Sequence, residues 1–461
     1  MDPHKAATAD VDTSATGVPF SEALKFWLKL GLISFGGPAG QIAIMHRELV
    51  EQRRWISEQR FLHALNYCML LPGPEAQQLA TYIGWLMHRT WGGVVAGALF
   101  VLPSLLLLVA LSGLYMAFGT VPVVAAILWG IKPAVAAIVL QALHRMASKT
   151  LKNPLKAPVL PALAAISFIA IAVFSVPFPW VVLVAALCGW MGQRWLPGQF
   201  AAGGGHGAGK ATADHAPAWI DDDTPTPAHA RFKPSRLALL VGVGALLWLL
   251  PMAALVAWQG WQGWQGTLAQ MGWFFTKAAL LTFGGAYAVL PYVVQGAVEH
   301  FGWLTAAQMM DGLALGETTP GPLIMVVAFV GFVGGWGQPV LGPEALFWSG
   351  ALAATVVTWF TFLPSFIFIL AGGPLVESTH GKLQFTAPLA AISAAVVGVI
   401  ASLALFFIVH LALPTGATGP FDAKALTLAA VAAVALLRYK VGIIPVIAAC
   451  AVMGWLASLL T

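Results

Sequence analysis

Charged residues are scarce in this chain of 461 residues. Asp, Glu, Lys and Arg make up 9% of it and hydrophobic residues 59%, whereas a soluble globular protein has about 25% charged residues. A chain this apolar would precipitate in water, which excludes a soluble class. Hydrophobic runs close to the ~20 residues that a helix needs to cross a bilayer recur along it. They are clearest at Val94–Phe118, Val121–Leu143, Leu237–Trp258 and Pro388–Leu413.

Cysteine is also rare, and the signatures of several enzyme classes are missing. Cys68, Cys188 and Cys450 are too scattered for a disulfide framework or a metal cluster. No complete Gly-x-x-x-x-Gly-Lys-Ser/Thr motif occurs, so ATP hydrolysis by this chain is not expected. The polar start of the chain has no apolar core, so no cleavable signal peptide is expected. We predict a membrane protein that is not an enzyme, needs no cofactor or metal and binds no nucleic acid.

The sequence contains an internal repeat. Shifted by 248 residues, Phe26–Pro74 aligns with Phe274–Pro322 without a gap, and 13 of the 49 positions are identical. This repeat divides the chain into five predicted parts. They are a polar tail (1–19), a first repeat (20–195), a flexible linker (196–236), a linking transmembrane helix (237–266) and a second repeat (267–461).

The distribution of Lys and Arg predicts that the two halves face opposite ways. Four arginines lie between Arg47 and Arg60, whereas the matching stretch Val294–Gln308 has no Lys or Arg. The loop predicted at Arg145–Lys156 holds four cations, whereas its counterpart around Pro414–Lys424 holds one. Such residues collect on the cytoplasmic side, so the N-terminus and linker are predicted inside and the C-terminus outside. We predict an all-α polytopic membrane protein with two inverted-topology repeats, an architecture of secondary transporters.

Two motifs in each half break the helical pattern. Phe35-Gly36-Gly37 aligns with Phe283-Gly284-Gly285, and Pro72-Gly73-Pro74 aligns with Pro320-Gly321-Pro322. Pro lacks an N–H and Gly accepts unusual conformations, so these runs cannot continue a helix. In hydrocarbon such breaks persist only where they are buried in protein or line a cavity. The alternative is that they serve close packing or a kink.

Each Pro-Gly-Pro motif is predicted to present a helix N-terminus inside the membrane, which is a site suited to an anion. After Pro74 the segment Glu75–Met87 is predicted to be a helix with Gln77, Gln78 and Thr81 on its first turns. About 14 residues at ~1.5 Å each are too short for a full span. The pattern therefore favours broken or re-entrant helices, with a kinked span as the alternative.

Ionisable residues inside the membrane are functional candidates because burying their charge is costly. Lys29 and Lys277 occupy equivalent positions six residues before their Phe-Gly-Gly motifs, and Lys132 lies mid-way in a long apolar run. Snorkelling to the interface is the alternative for the first two. Glu75 and Glu317 flank the Pro-Gly-Pro motifs, where each could carry a proton or pair with a lysine.

Four other ionisable residues lie nearer the ends of their segments, which favours an interfacial position: Asp311, His46, His63 and Arg89. The candidate substrate-binding residues are Lys29, Phe35, Gly36, Gly37, Pro72, Gly73, Pro74, Glu75, Gln77, Gln78, Lys132, Lys277, Gly284, Gly285, Glu317, Thr318, Thr319, Pro320, Gly321 and Pro322.

The motifs resemble the signature of the chromate ion transporter family. The resemblance rests on Phe35–Ala43 and Leu71–Ala80, and Thr282–Gly285 and Thr318–Pro322 are similar to the second homologous domain of its long members. It implies a multi-pass protein of the bacterial cytoplasmic (inner) membrane that expels chromate, driven by the electrochemical gradient, and confers chromate resistance. Gln41 in the first motif is replaced by Val289 in the second, so the two sites need not be equivalent.

Four partners are expected, and two competing interpretations of the function stay open. The partners are chromate, sulfate as a competitor of the same tetrahedral shape, the lipid bilayer and a second copy of the chain in a homodimer. One alternative function is an uptake carrier or channel for sulfate-like oxyanions. Another is a membrane sensor or scaffold without transport, which has no use for paired intramembrane breaks.

Overall fold

The computed structural model describes residues 17–35, 37–151, 158–196, 200, 218–222, 224–225, 227–258, 260–379, 386–414, 416 and 419–459. Within these ranges the chain forms sixteen α-helices and no strand beyond one bridge between Ile56 and Ile220. Helices α4, α5, α8, α13 and α14, with the bounds given below, are long and apolar enough to cross a membrane. The prediction of an all-α polytopic membrane protein is confirmed.

The first half contains seven helices: α1 (Phe20–Ile33), α2 (Gly37–His46), α3 (Glu58–Leu70), α4 (Glu75–Phe118), α5 (Pro122–Thr150), α6 (Val159–Ala172) and α7 (Phe178–Trp195). A single helix, α8 (Pro234–Trp258), follows the linker. The second half contains α9 (Thr267–Leu280), α10 (Ala286–Val294), α11 (Ala306–Thr318), α12 (Val326–Gly337), α13 (Leu346–Thr379), α14 (Thr386–Ala412), α15 (Ala423–Leu437) and α16 (Ile443–Leu459).

The same irregularities recur in both halves. A π-helical segment follows α2 at Arg47–Gln52, and another follows α10 at Gln295–His300. The 248-residue shift of the sequence repeat superimposes these two segments. A π-helix departs from the i→i−4 hydrogen-bond pattern and is rare. Its recurrence at equivalent positions therefore supports the repeat independently of the matching Gly and Pro residues.

The short helices of the first half form two hairpins. One consists of α1 and α2, and the other of α3 and the first part of α4, up to its interruption. Both hairpins start and end on one face of the protein. Glu22 at the start of α1 lies 3.3 Å from Arg53, which follows α2. The helix that begins at Glu75 is interrupted at His88 and Arg89, as the sequence predicts for Glu75–Met87. The ring of His88 donates from Nε2 to the carbonyl of Val18, 2.8 Å away, at the start of α1. Each hairpin therefore returns to the face it entered.

The second half repeats this arrangement. The Thr267 hydroxyl at the start of α9 donates to Gln338, which directly follows α12, at 2.6 Å. In the same region Gly334 of α12 packs under the Trp303 side chain. The hairpins α9–α10 and α11–α12 thus also begin and end together.

Helices of each half pack against helices of the other half. Helix α5 of the first half packs against α15 and α16, and α14 of the second half packs against α6 and α7. Glycines let these backbones approach closely, as is usual between helices in membranes. A Cβ on Gly130 would collide with α16 at Cys450 and Gly454, and one on Gly398 would collide with α6 at Ala164. The interface between the halves is therefore built from reciprocal contacts.

Part of the linker packs against the first half, although its composition predicts a flexible segment. The backbone N–H groups of Trp219 and Ile220 donate to the carbonyls of Arg54 and Trp55 at 3.0 and 3.1 Å. The Ile220 side chain is buried. Of its three histidines, His229 donates to the Trp85 carbonyl at 3.0 Å, while His206 and His215 lie outside the described residues.

Candidate functional site

The four predicted breaks meet between the halves. The N–H of Gly73 donates to the carbonyl of Thr282 at 2.8 Å, and the N–H of Gly321 donates to the carbonyl of Ser34 at 2.8 Å. Thr282 and Ser34 immediately precede the two Phe-Gly-Gly motifs. Each Pro-Gly-Pro motif is thus hydrogen-bonded to the Phe-Gly-Gly motif of the other half. Reciprocal bonds of this kind indicate a two-fold relation between the halves.

Glycine is required at both Pro-Gly-Pro motifs. Gly73 has a φ of 130° and Gly321 a φ of 112°, in the region that residues with a Cβ rarely adopt. There is also no room for a side chain. A Cβ at Gly73 would collide with Ser365 and Gln78, and one at Gly321 would lie 2.6 Å from the Cβ of Ser104.

Three buried glutamines surround the breaks. The Gln41 amide donates to the Gly321 carbonyl at 2.5 Å, and the Gln78 amide to the Pro72 carbonyl at 2.8 Å. Gln77 donates to the Thr81 hydroxyl at 3.0 Å. The Oε1 atoms of all three find no hydrogen-bond partner among the described residues. Gln41, which the candidate set omits, therefore ties the first Phe-Gly-Gly segment to the second Pro-Gly-Pro motif.

Helix N-termini begin at both breaks, as the sequence predicts. Helix α4 starts directly after Pro74, and a 3₁₀ turn at Leu323–Met325 leads into α12 after Pro322. In the described part of the chain, the N–H groups of Glu75, Ala76 and Gln77 have no hydrogen-bond partner. The first turns of a helix leave such donors free together with a partial positive charge.

Two cations on the last turns of α5 act on the carboxylates beside the breaks. Arg145 interacts electrostatically with Glu317, and Lys149 with Glu75. The intervening Met146 lies against Gly284 of the second Phe-Gly-Gly motif. Both cationic side chains are exposed. The sequence assigned them to a loop. That assignment is wrong because α5 continues to Thr150, and a spacing of four residues places both cations on one helix face.

The two candidate glutamates differ in their surroundings. Glu317 is buried, and its carboxylate accepts a hydrogen bond from the Tyr287 hydroxyl. Glu75 is half-buried. Neither glutamate has a counterpart in the other half, because the matching positions are Met69 and Leu323. The acidic groups are therefore asymmetric, although the breaks are paired.

The two symmetric lysines contact other groups. The Lys29 ammonium lies 3.4 Å from Glu48, and the Lys29 side chain is 55% exposed. The Lys277 ammonium lies 5.6 Å from the centre of the Trp273 ring. Among the described residues, neither lysine forms a hydrogen bond or ion pair with a break residue. These contacts agree with the snorkelling alternative.

Lys132 forms an ion pair between the halves. Its ammonium lies 3.7 Å from Asp311 of α11, and the Tyr115 hydroxyl donates to the same carboxylate at 3.0 Å. Asp311 is 2% exposed and so lies inside the protein. Its counterpart in the first half is His63, which is why the repeat gave no sign of the pair.

The remaining candidates form hydrogen bonds within their own helix, are exposed, or adopt backbone conformations that favour glycine. The Thr318 and Thr319 hydroxyls donate to carbonyls of their own helix, those of Ala314 and Gly316, at 3.0 and 3.2 Å. Phe35 is exposed. Gly37, Gly284 and Gly285 have φ values of 72°, 82° and 96°, whereas Gly36 lies outside the described residues. No group of three His, Cys, Asp or Glu residues in the described ranges could hold a metal.

Multiple apolar helices and paired intramembrane breaks define a class, that of multi-pass membrane transporters. A sequence profile described as "Chromate transporter" matches residues 21–190 and again residues 269–455. The chain belongs to the chromate transporter family, whose members are transporters and not enzymes.

Curated relatives carry the same name. A "Chromate transport protein" of Pseudomonas aeruginosa is 30% identical over 98% of this chain and 96% of its own length. One of Cupriavidus metallidurans is 28% identical over 86% and 84%, respectively. A "Probable chromate transport protein" of Synechococcus elongatus is 28% identical over 78% and 76%. No solved structure matches the chain.

Proposed function

We propose that this protein is a secondary active exporter that moves chromate across the cytoplasmic membrane and so gives chromate resistance. Family membership and the names of the relatives support chromate as the substrate. A chromate-binding site is supported by one observation: the Gly73 and Gly321 breaks each donate a hydrogen bond to the other half.

The proposed substrate site is the space in front of the helix that begins at Glu75. Chromate is a tetrahedral dianion, and free N–H groups at a helix N-terminus coordinate such anions. Arg145 and Lys149 supply positive charge beside it. The Gly73 and Gly321 N–H groups are already bonded to the opposite half. We therefore assign the coordinating N–H groups to residues 75–77 and assign the two glycines to shaping the site.

The proposed orientation of the halves is inverted. Helix α13 starts beside the end of α12, at the face where the second-half hairpins open. Near its other end, the carboxylate of Glu377 lies 2.8 Å from Arg60, at the face where the first-half hairpins open. A 34-residue helix is about 51 Å long, enough to cross the membrane. This path supports hairpins that enter from opposite sides.

Glu75 and Glu317 are proposed to couple transport to protons. An ionised carboxylate beside the site would repel a dianion, whereas a protonated one would not. Lys29, Lys132 and Lys277 remain predicted contributors, with Lys132 acting through its pair with Asp311.

The test is chromate flux in vesicles reconstituted with the purified protein, under separately imposed pH and voltage gradients. We expect chromate to accumulate against its own gradient when either driving force is present, with sulfate as a competitor. Whole-cell chromate accumulation gives the direction, because an exporter lowers it. Higher chromate accumulation, or sulfate flux without chromate flux, would support the sulfate-like uptake carrier. Passive chromate flux that neither gradient can drive uphill would support the channel.

A further inference from the structure

A cavity of about 650 Å³ lies between the linker and the interruption of α4. Its apolar wall includes Phe20, Trp91 and Trp219, and its polar wall includes His88, Arg89 and His229. None of the break residues lines it. The cavity is therefore separate from the proposed chromate site.

Arg89 has a strained backbone and a guanidinium without a partner. Its φ of 58° and ψ of −158° fall in a region adopted almost only by glycine. In the described part of the chain it forms no hydrogen bond and no ion pair. Strained conformations persist where the surroundings enforce them, and they are concentrated at functional sites. The Arg89 side chain is exposed, so an anion that enters the cavity can reach its guanidinium.

Both histidines of the cavity wall are hydrogen-bonded to backbone carbonyls. His88 donates from Nε2 to the Val18 carbonyl, and its Nδ1 is buried without a partner. His229 donates from Nε2 to the Trp85 carbonyl. Burial lowers the pKa of His229 below its ordinary value, and the positive charges of Arg236 and Arg89 lower it further. The residues that line the cavity in the described part of the chain include no carboxylate, so Arg89 gives its wall a positive charge.

The cavity opens beside exposed aromatic side chains. Trp91 is 76% exposed and Phe20 is 44% exposed, both at the level where α4 resumes after its interruption. Exposed tryptophans of this kind sit at the boundary between headgroups and acyl chains. The face also carries Arg53, Arg54 and Arg236, so by our proposed orientation it lies at the cytoplasmic leaflet, whose anionic lipids attract such charges.

We propose that this cavity binds an anionic phospholipid of the cytoplasmic leaflet. The phosphate faces the Arg89 guanidinium, and an acyl chain lies along Phe20 and Trp91. A soluble oxyanion would use the arginine but would leave the apolar wall uncovered. Because Trp219 and Ile220 of the linker close the cavity, the bound lipid also holds the linker against α4.

The test measures lipid binding to the purified full chain by native mass spectrometry and titration, comparing phosphatidylglycerol with phosphatidylcholine. Arg89→Gly removes the charge and suits the backbone, so its melting temperature should equal or exceed that of the wild type. We expect at least about tenfold weaker binding of phosphatidylglycerol by this variant, the usual size for a lost charge-assisted hydrogen bond. Arg89→Lys should keep most of the affinity.

Arg194→Gln is the matched control, since Arg194 is an exposed cation stacked on Trp190 at 4.9 Å, outside the cavity. It should bind phosphatidylglycerol like the wild type. Arg89→Gln removes the charge but keeps a long side chain and should also weaken binding, which provides a second test if Arg89→Gly misfolds. Equal losses in Arg89→Gly and Arg194→Gln, or no preference over phosphatidylcholine, would overturn the proposal. Displacement of the lipid by millimolar inorganic phosphate would reassign the cavity to a soluble oxyanion.

Discussion

Arg145 and Lys149 are the residues that an incoming oxyanion would meet before the buried carboxylates. Both side chains are exposed, yet each interacts with a glutamate beside a break. Clustered charges of one sign raise the local concentration of an oppositely charged substrate. These two cations therefore set the occupancy of the proposed site more than Lys29 or Lys277 does.

Replacing Arg145 or Lys149 by Gln should raise the KM for chromate about threefold to tenfold at low salt, because one unit of attraction is lost. The difference should shrink above ~0.1 M salt, where the Debye length is ~10 Å. Initial flux rates in vesicles measure this, with Arg194→Gln as the control that stays at the wild-type KM. An unchanged KM in both variants would remove these cations from the site.

Glycine and proline carry their structural meaning in the sequence itself, and the breaks at Gly73 and Gly321 were predicted for that reason. The partners of Arg145 could not be predicted in the same way. Its electrostatic interaction with Glu317 depends on α5 packing against second-half helices, a long-range arrangement that no local pattern encodes. Gln41 was missed because its role lies in a hydrogen bond to Gly321, 280 residues away.

Among the helices, two buried polar clusters join the halves at separate places. Lys132 of α5 pairs with Asp311 of α11, and Arg60 of α3 pairs with Glu377 at the end of α13. Each carboxylate also accepts from a tyrosine of α4, Tyr115 in the first cluster and Tyr82 in the second. Movement of one half against the other would have to break such pairs.

Single variants of the first pair should be less stable than the double variant. Lys132→Met or Asp311→Leu leaves one buried charge without a partner, which costs about 3–5 kcal/mol. The variant carrying both changes should recover much of this loss, as measured by denaturant unfolding of the purified protein. Lys29→Met, at a side chain that is 55% exposed, should cost less than about 1 kcal/mol. Additive losses in the double variant would contradict an interacting pair.

The hairpin helices show where local sequence was sufficient. The boundaries at Glu75 and Met87 were predicted because Pro74 precedes the first and polar residues mark its first turn. The extension of α5 through Arg145 to Thr150 was not predicted, because the last turns of this helix are polar and resemble a loop in composition. The packing of Ile220 was missed because Gly, Pro and Asp dominate the linker around it.

For the whole molecule, the reciprocal contacts give the halves a two-fold relation, and the Lys/Arg pattern gives its proposed direction. An axis in the membrane plane lets the same site be reached from either side by moving one half against the other. The repeat itself was evident in sequence. The packing of α5 against α15 and α16, and of α14 against α6 and α7, could not be predicted, because it depends on long-range contacts between the halves.

Accessibility labelling tests the proposed inversion. Single cysteines at Ser148 and Lys424, in a variant without the three native cysteines, mark equivalent regions near the end of α5 and the start of α15. Impermeant maleimide added to intact cells should label the cysteine at 424 and spare that at 148. Labelling of both from the same side would contradict inverted halves.

Binding of chromate to the purified glycine variants tests the central claim, that the paired breaks form the oxyanion site. Gly73→Ala and Gly321→Ala place a Cβ at φ values of 130° and 112°, and strain of about 1–3 kcal/mol should distort the helix N-termini. We expect folded protein with at least about tenfold weaker chromate binding in both variants, and wild-type binding in Gly242→Ala, whose Cβ meets open space. Wild-type affinity in both folded glycine variants would contradict the account.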